Sequence, residues 1–439
     1  MIVPRNRLLL WTAAMVPVAA AGTTLPEASA PALAATGALL LLALVDAALA
    51  RGPLRGLRVE VPGVVRLFKD REGKVPLVLR HAAGPERLLK VGLSLPAGFR
   101  APAEAMEALL PAGAEGSRIE WACTPPERGT FRLGDCGVEA ASPLGFWSAR
   151  ARLPAGGELR VYPNLAGERK NLAALFLNRG RFGVHTQRMV GRGRDFEELR
   201  EYLPGDGYDQ IHWKATAKRG RPVTKLFQVE RTQEVYVAID HSRLSGRRVG
   251  GFAALERSVN AALVLGLAAE RQGDLFGLLT FGDRVRGFVR ARNGKAHYHA
   301  CRDALFALQP QPVAPDFADV CAFVRLRLRR RALLVVLTDL DDPVLSEKLV
   351  RHVRLISRQH LVLLGVPRSP SAAPLYEGEP PDSLDAIYRR LGGHLLWRRL
   401  REQARTLQRH GVKTLFLDHE RTSAQLVTEY LAIKQRQLL

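Results

Sequence analysis

The sequence predicts a multi-domain chain: two N-terminal transmembrane helices, a β-sandwich-like domain, and an α/β domain with a mostly parallel sheet. Three observations predict it. Two long apolar runs fall within the first 51 residues. Residues 53–165 carry short alternating runs bounded by Pro and Gly. Beyond residue 222, strand patterns alternate with amphipathic helix patterns. The resulting division is 1–51 membrane hairpin, 52–165 β-rich domain, 166–232 helical linker and signature segment, and 233–439 α/β domain.

Totals bound the reading. At 439 residues and 47% hydrophobic content, the chain is too long for one ordinary core and too apolar to be disordered. A net charge of +22 attracts polyanions, either nucleic acid or an anionic lipid surface. The four cysteines (Cys123, Cys136, Cys301 and Cys321) show no metal-type spacing, and their scarcity fits a reducing compartment.

Residues 8–21 form the first apolar run, preceded by Arg5 and Arg7. A polar break with Pro26 and Glu27 follows, then a second run of spanning length at 31–50. Arg51, Arg55 and Arg58 close it. Basic residues at both outer ends place those ends in the cytoplasm. Ala28-Ser29-Ala30 also resembles a signal-peptidase site, which would make the first run a cleaved signal. Asp46, inside the second run, is a functional candidate; its nearness to the cytoplasmic end favours snorkelling or a helix contact.

The β-rich region reads as an antiparallel sandwich or barrel, with strands around Leu77–Leu79, 89–95, 118–121, 130–133 and 158–162. Its turn elements, among them Ser142-Pro143-Leu144-Gly145-Phe146-Trp147 and Val161-Tyr162-Pro163, hold no catalytic constellation. They read as turns and core plugs of a binding or spacer domain.

In the C-terminal region, strands are expected at 223–230, 234–239, 275–280, 285–289, 332–337, 361–366 and 413–417. Helices are expected at 255–272, 295–308, 317–330, 343–358, 384–410 and 423–434. Ligands of such sheets sit at the carboxyl ends of the strands. Asp240, Ser242, Thr280, Asp283, Thr338, Asp339, Asp341 and Asp342 lie there.

Carboxylate and hydroxyl oxygens suit a hard cation such as Mg²⁺. Asp240-His241-Ser242 with the remote Asp339 resembles the metal-ion-dependent adhesion site of von Willebrand factor A domains. The usual set adds a second Ser and a distant Thr. Here Leu244 and Ala318 stand in those places, with Ser245 one residue late. Asp240, Ser242 and Asp339 are therefore either a degenerate metal site or loop and helix-cap residues. No Walker loop and no G-x-S-x-G elbow is present. His297 and His299 alternate without an acidic or Cys partner at ligand spacing. The run Arg325, Arg327, Arg329, Arg330 and Arg331 lacks interleaved aromatics, so a solvated, membrane-attracted face is expected rather than nucleic-acid reading.

The densest stretch is 191–218, GRGRDFEELREYLPGDGYDQIHWKATAK. Asp195 and Glu198 form a helix-start pattern, Pro204-Gly205-Asp206-Gly207 a turn, and Ile211-His212-Trp213 a buried-looking patch. This stretch resembles the signature of the bacterial domain of unknown function 58 family. The membrane hairpin, the Pro-Leu-Gly-Phe element, the Val-Tyr-Pro strand end and the degenerate metal site follow the family's order. Pro204, Gly205, Asp206, Trp213, Lys214 and Ala217 match its pattern; Tyr208-Asp209-Gln210 and His212 depart from it. The resemblance implies a von Willebrand factor A-like fold. It also implies association with MoxR-type AAA+ ATPases, as an adaptor in assembling, folding or metal-loading a client protein.

Function then divides into two classes. One is a non-catalytic, membrane-anchored adaptor facing the cytoplasm, with Arg194, Arg200, Tyr202 and Lys214 available to a partner while Asp206 and Trp213 lock a turn and a core plug. The other is a hydrolase, protease- or transglutaminase-like, for which Cys301 or Cys321 would need a base. Binding of a polyanion by the basic surface is a weaker third reading.

Overall fold

The computed structural model describes residues 1–436 except 51, 82–85, 114–115, 169, 171, 174–189, 192–194, 204–206, 209–210, 229–231, 250–251, 370–371 and 378–382. The chain forms two compact units, Met1–Asn164 and Leu165–Leu439.

The first unit opens with a short strand, β1 (Ile2–Pro4), and two helices, α1 (Asn6–Thr24) and α2 (Ser29–Leu49). Ten strands follow: β2 (Arg58–Glu60), β3 (Val64–Phe68), β4 (Gly73–Arg80), β5 (Arg87–Leu93) and β6 (Met106–Leu110); then β7 (Gly116–Cys123), β8 (Gly129–Arg132), β9 (Asp135–Ala141), β10 (Trp147–Pro154) and β11 (Glu158–Tyr162). They make three sheets, ordered β1-β10-β9-β5-β6, β3-β11-β8 and β2-β4-β7. Alternation along β4 sends Val75, Leu77 and Leu79 inward, where they meet Val91, Trp121 and Leu159 in one core. The β-rich expectation holds. β3 and β11 pair in parallel, the one parallel pair among the described strands of this unit.

Of the two helices expected to cross a membrane, only α2 is long and apolar enough among the described residues. α1 carries Pro17 and polar residues at both ends (Asn6, Arg7, Thr23 and Thr24), which lower its hydropathy. It packs against α2 at Gly22, where a Cβ would stand 2.7 Å from the Ala32 methyl.

Asp46 neither snorkels nor contacts a helix. It is fully buried. Its carboxylate accepts hydrogen bonds from the Ser142 hydroxyl at 2.6 Å, the Leu144 N–H at 3.0 Å and the Phe146 N–H at 3.1 Å. The Trp147 indole N–H donates to the Ala43 carbonyl at 2.8 Å. The loop between β9 and β10 thus clasps the last two turns of α2. β1 pairs antiparallel with β10, and the Arg5 N–H donates to the Phe146 carbonyl at 2.8 Å. The start of α1 and the end of α2 therefore meet at the same loop.

The second unit begins with a small sheet of β12 (Val190–Gly191), β13 (Asp195–Glu201) and, after α3 (Trp213–Arg219), β14 (Val223–Gln228). β13 is the helix expected from Asp195 and Glu198. The local helix-start signal loses to antiparallel pairing with β14, where Leu199, Arg200 and Glu201 stand opposite Lys225, Thr224 and Val223. The helical linker expected over 166–190 falls mostly outside the described residues.

The α/β part follows the expected alternation closely. β15 (Glu234–Asp240) leads to a two-stranded ribbon of β16 (Arg248–Val249) and β17 (Phe252–Ala253), then α4 (Ala254–Arg271). Next come β18 (Leu275–Phe281), β19 (Val285–Arg292), α5 (Lys295–Leu305), α6 (Phe317–Arg327), β20 (Leu333–Leu337) and α7 (Pro343–Ile356). β21 (Leu361–Pro367), α8 (Leu384–Arg409), β22 (Lys413–Leu417) and α9 (Thr422–Gln435) complete it. The sheet order is β19-β18-β15-β20-β21-β22, parallel except for β19. Val235, Val237 and Ile239 pack towards α4 and α9 on one face. Tyr236 and Ala238 pack towards α6 and α7 on the other. Chain order reverses about β15, so the crevice at its carboxyl end is the switch point of the sheet.

Asp46→Ala is expected to lower stability by about 3 kcal/mol or more, because it strands a buried and a part-buried N–H group and a buried hydroxyl. Asp46→Asn is expected to cost less. Chemical denaturation of the detergent-solubilised chain measures both; equal, near-zero losses would show that the clasp carries no stability.

Candidate functional site

The crevice is assembled by strand pairing. Ile239 and Leu337 are register partners, so the residues after them, Asp240 and Thr338-Asp339, come together. Asp240 is buried, and both of its oxygens accept: one from the Ser242 N–H at 2.8 Å, the other from the Thr338 hydroxyl at 2.6 Å. Burial pushes its carboxyl above the usual range, opposed by those hydrogen bonds. The buried Ser242 hydroxyl accepts from the Leu244 N–H at 3.4 Å and opens a single 3-10 turn over Arg243–Gly246. Ser245 donates back to the Ser242 carbonyl at 2.8 Å. His241 is buried beside Gly282, and burial holds its pKa below the usual imidazole value.

Asp339 accepts from the Asp341 N–H at 2.9 Å. Burial and the Asp341 charge push its carboxyl up to about 6. Asp342 caps α7, accepting from Val344 and Leu345 N–H groups. Two arginines from the turn after β15 cover these acids. Arg243 lies 3.3 Å from Asp342, and Arg247 reaches Asp341 directly and Asp339 at 3.6 Å. Thr280 is buried against Gly287, and Asp283 pairs with Arg286 at 2.9 Å, both turned to β19 rather than to the crevice.

The donor set does not fit a Mg²⁺ site of the adhesion type. Such an ion needs several oxygens aimed at one point. Ser245 is turned onto the backbone, and Ala318 has no hydroxyl. Asp316 caps α6, and Asp319 accepts from the Val285 N–H at 2.8 Å. Among the described residues, no three His, Cys, Asp or Glu side chains form a metal-holding group. Asp240 and Asp339 hold their own loops through these hydrogen bonds.

The cysteines are buried and free. Burial pushes the Cys301 and Cys321 thiols up to about 12. Cys301 lies 3.5 Å from His297 Nε2, a neighbour the sequence reading did not supply. That nitrogen is also 2.7 Å from the Phe276 carbonyl, which requires it to carry the proton there, so it is not placed as a base.

In the signature stretch, Arg194, Pro204, Gly205 and Asp206 lie outside the described residues. Arg200 sits in β13 with its guanidinium 3.3 Å from the Glu201 carbonyl. Tyr202 stacks on Tyr208. Lys214 is exposed on α3. Trp213 is not a core plug: it is 69% exposed. Ile211 takes the buried place, bridging to Thr224, while His212 caps α3 by accepting from the Ala215 N–H at 3.0 Å. A helix start turns the next residue outward, and that end of the patch faces solvent. A second exposed apolar face escaped the sequence reading. Leu384, Ile387, Tyr388, Leu391 and Leu395 lie along one side of α8, all at least 44% exposed. Their spacing of three and four was the available signal.

Residues 198–369 match the model of the family described as Protein of unknown function DUF58. The DUF58 match spans the strands and loops that build the crevice, from β13 to β21. No curated protein matches the chain. Similar solved structures include BatB from Bacteroides thetaiotaomicron, 12% identical, with 46% of this chain aligned to 99% of that one at a TM-score of 0.31. An aerotolerance-related membrane protein from Bacteroides fragilis is 15% identical over 46% of this chain and 97% of its own, at 0.28. Proximal thread matrix protein 1 from the mussel byssus is 14% identical over 31% and 36%, at 0.23. TM-scores this low carry no argument about function or partners.

Two outcomes are expected. A raised carboxyl pKa favours the folded state while the group is protonated, so that contribution is present below pH ~4 and lost as pH rises through about 6. Denaturation across this window should show wild-type stability falling relative to Asp339→Asn, by at most about 3 kcal/mol; parallel curves would refute the shift. Alkylation of the native chain should leave all four thiols unmodified until denaturant is added.

Proposed function

We propose that this protein is a membrane-anchored adaptor whose von Willebrand factor A-like domain binds a MoxR-type AAA+ ATPase in the cytoplasm and brings a client protein to it. α2 is the anchor and α1 packs on it. Arg5, Arg7, Arg55 and Arg58 lie at the outer ends of the helix pair, which supports a cytoplasmic side for both ends and for the β-rich domain.

The observation that carries the reading is the exposure of large apolar side chains within one folded domain. The α8 stripe and Trp213 are surfaces that water disfavours and a protein partner would cover. Trp is the residue type most enriched among interface hot spots. Protonated, buried thiols and a donating His297 give the hydrolase reading no activated nucleophile to rest on.

Crosslinking in native membranes, followed by identification of the captured proteins, tests this. Trp213→Ala and Leu391→Glu are expected to leave thermal stability nearly unchanged, within about 0.5 kcal/mol. Each is expected to reduce capture of an AAA+ ATPase several-fold. Wild-type membranes that never yield such an ATPase would sink the proposal.

A further inference from the structure

The mismatch between the crevice and a divalent cation has a physical cause, and it stands apart from the partner reading. We propose that Arg247 is the resident cation of this crevice: its guanidinium, with that of Arg243, holds the acidic loop after β20 that a metal would otherwise hold.

Position supports the assignment. Arg247 directly follows the turn that Ser242 opens, so it is carried by the same loop that supplies Asp240 and Ser242. Its backbone is fixed on both sides. The Arg247 N–H donates to the Leu244 carbonyl at 3.5 Å, and its own carbonyl accepts from the Ala254 N–H at 2.9 Å. From there the guanidinium contacts Asp341 and lies 3.6 Å from Asp339, while Arg243 lies 3.3 Å from Asp342. Asp339 is nearly buried. A buried carboxylate beside a second carboxylate needs a positive charge close by. Two guanidinium groups supply the same charge as one Mg²⁺.

Chemistry supports it as well. A guanidinium is planar, stays charged, and spreads its donors to reach two carboxylates. A cation competing for Asp339 and Asp341 would have to displace Arg247, whose guanidinium already sits on both carboxylates. The exchange of a mobile ion for a tethered one makes the loop order independent of metal supply.

The test uses the detergent-solubilised full chain, with Mn²⁺ and Mg²⁺ as probes. Thermal unfolding and Mn²⁺ paramagnetic resonance are followed, against a control of matched ionic strength. The wild type is expected to show no divalent-specific rise in unfolding temperature. Arg247→Ala should gain one, with Mn²⁺ bound at least about tenfold more tightly. Arg247→Lys should behave as the wild type, and adding Asp339→Asn to Arg247→Ala should abolish the gain. Arg247→Gln provides a neutral variant of similar volume if the Ala variant fails to fold. Stoichiometric Mn²⁺ binding by the wild type that Asp240→Asn or Asp339→Asn removes would overturn the assignment. So would neutral variants that respond to Mn²⁺ no more than the wild type.

Discussion

Asp46, Asp240 and Asp274 share one constraint: a carboxylate taken out of water must receive hydrogen bonds in place of the water it loses, or its burial costs several kcal/mol. Asp46 receives two backbone N–H groups and a serine hydroxyl, all from one loop of the β-rich unit. Asp240 receives a backbone N–H and a threonine hydroxyl, from its own loop and the end of the neighbouring strand. Asp274 accepts from the Gln233 N–H, the Tyr430 hydroxyl and the Lys434 ammonium, and so ties α9 to the start of the sheet. In each case the acid determines which distant segment must come to it. The clasp at α2, the crevice at the switch point and the seat of the last helix all follow.

The same constraint separates positioning from chemistry in the crevice. Acids at the carboxyl ends of parallel strands commonly face a ligand. Here they face hydroxyls, backbone amides and two arginines of the same chain. Such a crevice is ordered before any partner arrives. Exposed apolar side chains also lie elsewhere, on α3 and along α8.

Much of this was legible in the sequence. β15, β18, β20 and β21 read clearly because a strand buried on both faces is an unbroken apolar run, and no helix of that length would leave such a run between turn signals. The aspartates at their ends were legible for the same reason, since a strand that stops at Asp marks a carboxyl end. β13 was misread because Asp195 and Glu198 satisfy a local helix rule, while the strand is held by β14, a partner no local rule can see. Trp213 was misread because a hydrophobic triplet does not say which member turns inward. Ile211, bridged to Thr224, took the buried place.

By itself, then, the sequence determined the division into an apolar N-terminal segment, a β-rich part and an α/β part, because periodicity and composition are carried within each segment. It also determined that the two hydroxyl positions of an adhesion-type metal site are missing, because a side chain that is absent cannot be supplied by folding. Only the tertiary structure decided what each charged group does. Asp46 became the clasp of α2 because a loop nearly a hundred residues away carries donors at its height. Arg247 came to lie on Asp339 and Asp341 because parallel pairing of β15 with β20 brings their two following loops together. Electrostatic partners are set by distance in space, and sequence separation does not report it.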